Sequence, residues 1–324
     1  MRSKRQTALV IGGSGFIGPP LVALLLARGF DVTVLNRGRR PTSGVCQLIA
    51  DRNSDSELRR ASEQVGSVDN VIDLCCYTVA QARSAWNAFS SRCGRWLYLS
   101  SAAVYAELAH TIPTEGSPRG GAPAWGQYGA EKSAVEDFLL SRLSPIQRVS
   151  VRPPYVYGPG DMPDRETFIW ARLLRHSRVL VPGTGRAVLQ FVHVNDLAEA
   201  LLQCLQSQES GGIAYNVAAR EVISSRDYVS VLAKICNMPD SGMLVGDDGD
   251  GLSSLQYFPY PDADCHIDGS LILRECGWTP RYELMRGLAE TFESYDPRAI
   301  SQMQLPSPAE DQLRTFLRTR SGVT

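Results

Sequence analysis

A glycine-rich segment close to the N-terminus constrains the fold of this chain more than any other feature. The short apolar run 7–11 is followed by the segment Gly12-Gly-Ser-Gly-Phe-Ile-Gly18, and helical spacing begins directly afterwards, over 19–28. Glycines at these intervals allow a tight turn, a close approach of the backbone to a bound group, and close packing of a helix on a strand. Because a helix N-terminus offers unpaired N–H groups and a positive dipole end, the segment predicts a site for the pyrophosphate of a dinucleotide.

Strand-like and helix-like segments alternate through the first half of the chain. Strand patterns recur at 31–35, 68–74, 95–100 and 149–152, with helical patterns at 54–63, 80–91 and 130–143. This alternation predicts an α/β fold, a Rossmann-type doubly wound parallel sheet. The later segments, rich in Gly, Pro and Tyr, indicate a smaller C-terminal substrate-binding lobe. We expect residues 1–155 and about 188–207 to form the dinucleotide-binding domain, and 156–187 and about 208–324 to form the lobe.

Composition excludes several other classes of protein. The 324 residues are 44% hydrophobic and 21% charged, which is typical of a globular protein and not of a disordered one. Lys plus Arg (33) balances Asp plus Glu (34), so the net charge of −1 does not predict a nucleic-acid or membrane partner. The longest clean apolar run, 21–27, is too short to span a membrane. The eight cysteines form no C-x-x-C pair and only four histidines occur, so we predict no metal site and a cytoplasmic protein with free thiols.

The end of the predicted second strand bears on the choice of cofactor. An acidic residue there holds the 2′-hydroxyl of NAD, whereas an arginine accommodates the 2′-phosphate of NADP. Here the strand ends Leu35-Asn36-Arg37-Gly-Arg39-Arg40 and contains no acid. Arg37 therefore favours NADP weakly, although the Asn36 amide can also bond a 2′-hydroxyl. Asp51 and Arg52 follow the next strand position and are predicted to clamp the edge of the adenine.

A tyrosine, a lysine and two serines supply candidate catalytic groups. Tyr128 and Lys132 are four residues apart at the start of a predicted helix and thus share one face. A lysine ammonium beside a phenol favours the phenolate, which can act as a base. Ser100 and Ser101 end a predicted strand, at the edge where open α/β sheets bind ligands. A serine hydroxyl there can hydrogen-bond a substrate oxygen as that oxygen becomes a carbonyl.

These features together resemble an extended short-chain dehydrogenase/reductase, of the NAD(P)-dependent sugar epimerase/dehydratase family. The resemblance runs from residue 7 to about 280. Its motifs are the three glycines, Ser100-Ser-Ala-Ala-Val-Tyr105, Tyr128-Gly-Ala-Glu-Lys132, Arg152-Pro-Pro-Tyr-Val-Tyr-Gly-Pro159 and Phe191-Val-His-Val-Asn-Asp196. Members of this family are often homodimers that pair through two helices, here expected at 80–91 and 130–143.

The resemblance implies a role for each candidate residue. Tyr128 is the base that takes a hydroxyl proton while hydride passes to the nicotinamide, Lys132 holds the nicotinamide ribose and tunes Tyr128, and Ser101 orients the substrate hydroxyl. The predicted cofactor contacts are Gly12, Gly15, Phe16, Ile17, Gly18, Asn36, Arg37, Asp51, Arg52, Ser100, Lys132 and Pro153. The predicted substrate contacts are Ser101, Ala102, Tyr155 and Arg186.

Two departures from the family's patterns narrow the expected reaction. The 4,6-dehydratases that this chain resembles carry Asp-Glu after the catalytic Ser/Thr, where Ala102 and Ala103 stand here, so dehydration is disfavoured and 4-epimerisation favoured. Nucleotide-sugar epimerases place one arginine where this chain has Leu189 and another within the segment that is 258–266 here, which contains none. Their loss forfeits about 1.5–3 kcal/mol each on a diphosphate, with Arg186 and Arg165 the remaining candidates to compensate. We therefore expect a sugar without the usual diphosphate, such as a nucleoside or glycoside.

Two alternatives to an epimerase remain open at this stage. A ketoreductase of a keto-sugar would consume NADPH, in line with Arg37, whereas an epimerase would retain a tightly bound, oxidised cofactor. A non-catalytic NAD(P)-binding protein is the third reading, because the segments around Asn36 and Leu189 resemble those of plastid stem-loop RNA-binding members of the family. Against that reading, Tyr128, Lys132 and Ser101 are all present.

Overall fold

The computed structural model describes residues 5–42, 44–160, 165–206, 212–238, 243–246, 253–303 and 313. Its strands are β1 (Thr7–Ile11), β2 (Asp31–Asn36), β3 (Cys46–Ile49), β4 (Val68–Asp73), β5 (Cys93–Leu99), β6 (Gln147–Arg152), β7 (Tyr155–Tyr157), β8 (Val179–Pro182), β9 (Val188–His193), β10 (Gly212–Asn216), β11 (Val222–Ser224) and β12 (Met243–Gly246). Its α-helices are α1 (Gly18–Ala27), α2 (Asp55–Val65), α3 (Val79–Phe89), α4 (Gly126–Leu140), α5 (Glu166–Leu173), α6 (Val194–Gln206), α7 (Ser225–Ile235), α8 (Ser270–Cys276), α9 (Leu284–Glu293) and α10 (Pro297–Ser301).

The chain forms two compact units. The first comprises Met1–Val156, Val192–Arg220 and Ile267–Arg281, and the second comprises Tyr157–Phe191, Glu221–His266 and Tyr282–Thr324. The assignment of cofactor binding to one of them and substrate binding to the other stays a prediction.

A seven-stranded parallel sheet in the order β10-β6-β5-β4-β1-β2-β3 forms the centre of the first unit. The order runs outward from β1 in both directions, which is the doubly wound arrangement. The predicted Rossmann-type fold is therefore confirmed. The strand that returns late in the chain to this sheet is β10, in a segment that the sequence analysis placed in the lobe. The segment that is expected to rejoin the dinucleotide-binding domain, about 188–207, forms β9, which pairs antiparallel with β11, and α6, which belongs to the first unit.

Both faces of the large sheet are covered by helices. Along β1, Ala8 and Val10 belong to a buried cluster with α1 and α6, whereas Leu9 and Ile11 belong to a second cluster with α2, α3 and α4. This two-sided burial explains why β1 is a continuous apolar run from residue 8 to residue 11, with no polar alternation. It also leaves the carboxyl edge of the sheet, where the predicted site residues cluster, as the place for polar chemistry.

The second unit contains a buried aromatic cluster. Phe191 stacks on Tyr228 with ring centroids 4.7 Å apart and meets Tyr157 and Tyr260 edge-on. The hydroxyls of Tyr228 and Tyr260 donate to the buried carboxylate of Glu166, at 2.7 and 3.0 Å. In the part of the chain that the structure describes, no helix has both the length and the apolar character needed to cross a bilayer.

Candidate active site

The first turn after β1 requires glycine at two of the three predicted positions. Gly12 has φ +87°, and a Cβ there would lie 2.7 Å from the Cys75 sulfur. A Cβ on Gly18 would overlap the backbone of Gly13, so the third glycine lets α1 pack directly on the turn. At Gly15 a Cβ would meet only the Gly12 carbonyl oxygen, at 3.5 Å, and the residue is exposed. The turn is thus tight on its inner side and open on its outer side.

The outer side of this turn presents backbone donors. The N–H groups of Phe16 and Ile17 have no hydrogen-bond acceptor among the described residues. Ile17 caps α1 without a side-chain hydrogen bond, and Pro19 and Pro20 follow Gly18 in the first turn of the helix. Unpaired amides at a helix N-terminus suit an anion, so the geometry of this turn fits the pyrophosphate of a dinucleotide.

Asn36 shapes a basic loop at the end of β2. Its amide oxygen accepts from the Gly38 N–H and from Gln47 Nε2, both at 2.8 Å, and its Nδ2 donates to the Arg40 carbonyl at 3.4 Å. Arg37 and Arg40 are exposed. The Asn36 oxygen is therefore engaged by its own loop, while the arginine side chains are available to an anionic group.

Arg52 is held by a carboxylate that the sequence analysis did not single out. Its Nη1 and Nη2 donate to the two carboxylate oxygens of Asp73 at 2.7 and 3.0 Å, and Nη1 also lies 3.2 Å from the Cys75 sulfur. Burial lowers the pKa of Arg52, but the Asp73 carboxylate outweighs burial and raises it above its ordinary value. The half-buried Asp51 accepts from Asn53 at 2.9 Å. Arg52 thus joins β3 to β4 at the edge of the sheet, and its contact with adenine stays a prediction.

Lys132 lies at the carboxyl edge of two adjacent strands. Its Nζ donates to the carbonyl of Leu99, the last residue of β5, at 2.9 Å, and to that of Cys76, just after β4, at 2.8 Å. The side chain is buried, which lowers the pKa of Lys132 to about 8. The ring of Tyr128, one helical turn earlier, lies 5.9 Å from Nζ and is 42% exposed. A buried cation beside an accessible phenol is the arrangement that favours a phenolate base.

The two serines of the loop after β5, residues 100–104 and here called the serine loop, have different surroundings. Ser101 is half-buried, and its Oγ accepts from the Ala103 N–H at 3.2 Å, capping a short 3₁₀-helix over Ala102–Val104. The buried Ser100 Oγ has no hydrogen-bond partner in the described part of the chain. The Ala102 N–H donates to the Pro153 carbonyl at 2.8 Å, which joins this loop to the end of β6.

Close contact between glycines sets the distance from α4 to the serine loop. Gly129 directly follows Tyr128, and a Cβ on it would lie closer than 3.0 Å to the Ala103 carbonyl oxygen. A Cβ on Gly121 would likewise overlap the backbone of Ala130. The helix that carries Tyr128 therefore rests directly on the loop that carries Ser101. Sequence analysis missed both glycines, although Gly129 lies inside a motif that it quoted.

A buried charge network fixes the other end of the same helix face. Glu136, one turn beyond Lys132, accepts from Arg152 at 2.9 and 2.5 Å and from Arg119 at 3.0 Å. Arg152 also donates to the hydroxyl of Tyr105 at 3.0 Å, and that hydroxyl donates to Asn216 Oδ1 at 2.5 Å. These contacts join segments that are far apart in sequence to the helix that carries the candidate catalytic residues. The i, i+4 spacing from Lys132 to Glu136 is the sequence signal that could have placed Glu136 on this helix face.

Two predicted substrate contacts belong to different units. Tyr155 is buried in the first unit, whereas Arg186 is exposed in the second, between β8 and β9. Leu189, where nucleotide-sugar epimerases are expected to carry an arginine, is fully buried in β9. Among the described residues, no group of three or more His, Cys, Asp or Glu side chains is arranged to hold a metal ion.

Comparison with known proteins identifies the family. The model of the NAD dependent epimerase/dehydratase family matches residues 8–218, about two thirds of the chain. The chain belongs to this family. The match covers the glycine turn, the serine loop, Tyr128 and Lys132, and it confirms the resemblance drawn from the motifs.

The relatives of this chain differ in the functions that their names give. The Arabidopsis thaliana chloroplast stem-loop binding protein of 41 kDa b is 23% identical over 90% of this chain and 79% of its own length. The 2′-dehydrokanamycin reductase of Streptomyces kanamyceticus is 28% identical over 68% of this chain and 63% of its own. A dTDP-glucose 4,6-dehydratase of Xanthomonas campestris is 27% identical over 89% and 93%.

Solved structures agree on the fold. The UDP-glucose 4-epimerase of Thermotoga maritima, with UDP-glucose, superposes with a TM-score of 0.76 at 18% identity, over 89% of this chain and 98% of the other. The UDP-glucose 4-epimerase of Thermus thermophilus, in complex with NAD, gives 0.74 at 22% identity over the same shares. At these identities the likeness establishes the architecture of this family member and not its reaction.

Proposed function

We propose that this protein is an NAD(P)-dependent epimerase that inverts a ring hydroxyl of a sugar through a transient ketone. One observation carries the proposal. Lys132 Nζ is fixed by two backbone carbonyls at the edge of the sheet, 5.9 Å from the exposed ring of Tyr128, beside a serine loop without carboxyl groups. A site with a base and no second acid suits a reaction that begins and ends with an alcohol.

Each step assigned to the protein involves its own side chains. Tyr128, as the phenolate, accepts the proton of the ring hydroxyl, and Ser101 Oγ holds the oxygen as it becomes a carbonyl. Lys132 stabilises the phenolate electrostatically. When bound, the nicotinamide cofactor supplies the acceptor and later the donor of the hydride. The ketone turns over so that its opposite face receives the hydride, and Tyr128 gives the proton back to the carbonyl oxygen. The product is the alcohol of inverted configuration, and protons and electrons balance over the cycle.

The glycine turn supports the cofactor assignment. Its inner positions admit no Cβ, and its outer amides at Phe16 and Ile17 have no acceptor among the described residues. The choice between NAD and NADP rests on the loop after β2, where Arg37 is exposed and no acid stands at the end of the strand. This loop favours NADP weakly.

The alanines after Ser101 argue against dehydration. Ala102 and Ala103 are 1% and 2% exposed and occupy the positions where the resembling dehydratases carry an acid and a base. A methyl group transfers no proton, and buried positions offer no room for a water to replace a carboxyl group. Elimination of water therefore lacks its acid and base at this site.

The substrate is proposed to be a sugar without a nucleoside diphosphate, such as a nucleoside or glycoside. The buried Leu189 replaces one expected arginine, and 258–266 supplies no other. The similarity to a 2′-dehydrokanamycin reductase, whose name gives 2′-dehydrokanamycin as its substrate, points the same way. Tight binding of UDP- or GDP-hexoses in calorimetry would overturn this part of the proposal.

A ketoreductase is the second candidate, favoured by that same relative and by the exposed Arg37. It would use the same Tyr128, Lys132 and Ser101 in one direction only, with Tyr128 donating a proton to a substrate carbonyl. A non-catalytic binding protein is the third candidate, favoured by the stem-loop binding relative. Salt-dependent RNA binding together with absence of cofactor chemistry would support the third candidate.

The deciding experiment is to denature freshly purified protein and to identify any nicotinamide released, by mass and redox state. Near-stoichiometric oxidised cofactor supports the epimerase, and its mass distinguishes NAD from NADP. An empty protein that then binds NADPH reversibly supports the ketoreductase. If the wild type retains cofactor, two variants serve as controls. Gly12→Val closes the glycine turn and is expected to release no cofactor. Tyr128→Phe alters only the proposed base and is expected to retain cofactor.

A further inference from the structure

Besides Tyr128 and its two carbonyl acceptors, the ammonium of Lys132 has two further aromatic neighbours. Its Nζ lies 4.9 Å from the ring centroid of Tyr77 and 4.9 Å from that of Tyr98. Both distances are within the range in which a ring face attracts a cation, and the attraction is stronger where water is excluded. Lys132 is 2% exposed, so water contributes little to the solvation of this charge.

The ionised groups around Lys132 compensate for burial only in part. Burial lowers the pKa of Lys132, and the groups that face it are Asp73, Arg52, Cys75, Cys76 and the tyrosines. The Asp73 carboxylate is already paired with the Arg52 guanidinium. The positive charge of Arg52 lowers the pKa of Lys132 further. Burial also raises the pKa of both thiols, which keeps them neutral. The charged form of Lys132 therefore depends on the carbonyls and the ring faces.

Of the two aromatic neighbours, only Tyr98 has a role in the core. Tyr98 is 1% exposed, belongs to the buried cluster beneath α3 and α4, and its hydroxyl donates to the Cys76 carbonyl at 3.5 Å. Tyr77 stands in the loop between β4 and α3 and is 51% exposed. Its backbone N–H donates to Gln81 Oε1 at 2.8 Å, which fixes the loop at the start of α3. Core packing accounts for Tyr98, but it does not account for Tyr77.

We propose that Tyr77 is a positioning residue, whose ring face keeps the Lys132 ammonium charged and directed at Tyr128. The inference rests on the proposed function, because it gives Tyr77 a role only if Lys132 and Tyr128 act as a pair. The attraction on the Lys132 ammonium comes from the face of the Tyr77 ring and not from the Tyr77 hydroxyl. Replacement by phenylalanine therefore preserves the effect, and replacement by an aliphatic residue removes it.

The test measures the titration of Tyr128 in the full-length protein, without any substrate. The ultraviolet phenolate absorbance of each protein is recorded against pH, and the curve of its Tyr128→Phe counterpart is subtracted to isolate Tyr128. We expect Tyr77→Leu to move the Tyr128 midpoint upward by about one pH unit, because a neutral lysine no longer stabilises the phenolate. Tyr77→Phe is expected to keep the wild-type midpoint, and Lys132→Met to give the largest upward shift.

The outcomes separate this inference from the proposed function. If Lys132→Met leaves the Tyr128 midpoint unchanged, the catalytic pair itself is refuted. If Lys132→Met shifts the midpoint and Tyr77→Leu does not, the pair stands and the role of Tyr77 is refuted. An equal shift in Tyr77→Phe and Tyr77→Leu would assign the effect to the hydroxyl and also refute it. If Tyr77→Leu and a second ringless variant, Tyr77→Met, both lose the cooperative unfolding transition, the residue is structural and the inference fails.

Discussion

Replacing Gly129 with alanine sets two effects of opposite sign against each other. Gly129 is the fourth residue of α4, and an unobstructed glycine-to-alanine change inside a helix stabilises it by about 1 kcal/mol. Here the new Cβ would lie closer than 3.0 Å to the Ala103 carbonyl oxygen and 3.1 Å from the Gly121 Cα. Overpacking of this kind costs about 1–3 kcal/mol, and the upper part of the range applies because backbone atoms cannot rotate away. We therefore expect a net loss of about 1–2 kcal/mol in the free energy of unfolding.

The assay is urea unfolding followed by circular dichroism, with thermal unfolding as a second measure. Gly116→Ala is the matched control, since Gly116 is exposed and a Cβ there would meet nothing within 4 Å. The control is expected to unfold within about 0.5 kcal/mol of the wild type. A Gly129→Ala protein that is more stable than the wild type would refute the close contact between α4 and the serine loop. If the backbone around residue 129 shifts so that stability is preserved but Tyr128 is displaced, the phenolate titration of Tyr128 will change.

Three further predictions concern buried charges. Glu136→Gln leaves the Arg152 guanidinium without its carboxylate, so we expect the free energy of unfolding in urea to fall by about 3–5 kcal/mol. Asp137→Asn, at an exposed carboxylate, is the control and is expected to cost under about 1 kcal/mol. Equal losses in the two variants would contradict the buried network. The pKa of Lys132, about 8 when folded, lies below its unfolded value of 10.5, so the folded protein binds fewer protons between these pH values. Stability of the wild type relative to Lys132→Met should therefore rise as the pH increases from 8 to 10, by an amount on the order of a few kcal/mol, and a flat difference would refute the burial of a titrating amine. Asp73→Asn leaves the buried Arg52 guanidinium beside the glycine turn without its carboxylate, so it is expected to destabilise the protein strongly. It is also expected to weaken the binding of NAD(P)H, measured by fluorescence titration. Unchanged binding by a folded variant would show that the Arg52–Asp73 pair does not contribute to the cofactor site.

Local patterns were sufficient to predict the fold class of the large sheet, although not its strand β10. The run before Gly12 and the glycine spacing after it predict a strand, a turn and a helix, because each residue type there satisfies a local backbone requirement, such as the φ of +87° at Gly12. The spacing of Tyr128 and Lys132 likewise predicts one shared helix face. The late-returning β10 was missed because nothing within a short apolar strand specifies which neighbour it joins.

Residues that depend on distant partners could not be predicted in the same way. The sequence predicts that Arg52 clamps the edge of an adenine, but it does not reveal that the Arg52 guanidinium is paired with Asp73, 21 positions away. The need for glycine at 129 comes from the Ala103 carbonyl, which belongs to another segment. Tyr77 carried no motif at all, and only the fold brings its ring to Lys132. Such contacts arise from tertiary packing, and a local pattern does not encode them.

The two buried alanines after Ser101 also bear on how new activities could arise on this scaffold. Changing them to an acid and a base would place two carboxyl groups where almost no surface is open to water and where the Ala102 N–H and the Ala103 carbonyl already make close backbone contacts. Both carboxyl groups would be desolvated, and the loop would have to widen before either could meet a substrate. Laboratory evolution toward elimination chemistry should therefore first select changes that loosen this loop against α4, with the two carboxyl groups arriving afterwards. The order in which mutations are tolerated, and not their number, would limit the conversion.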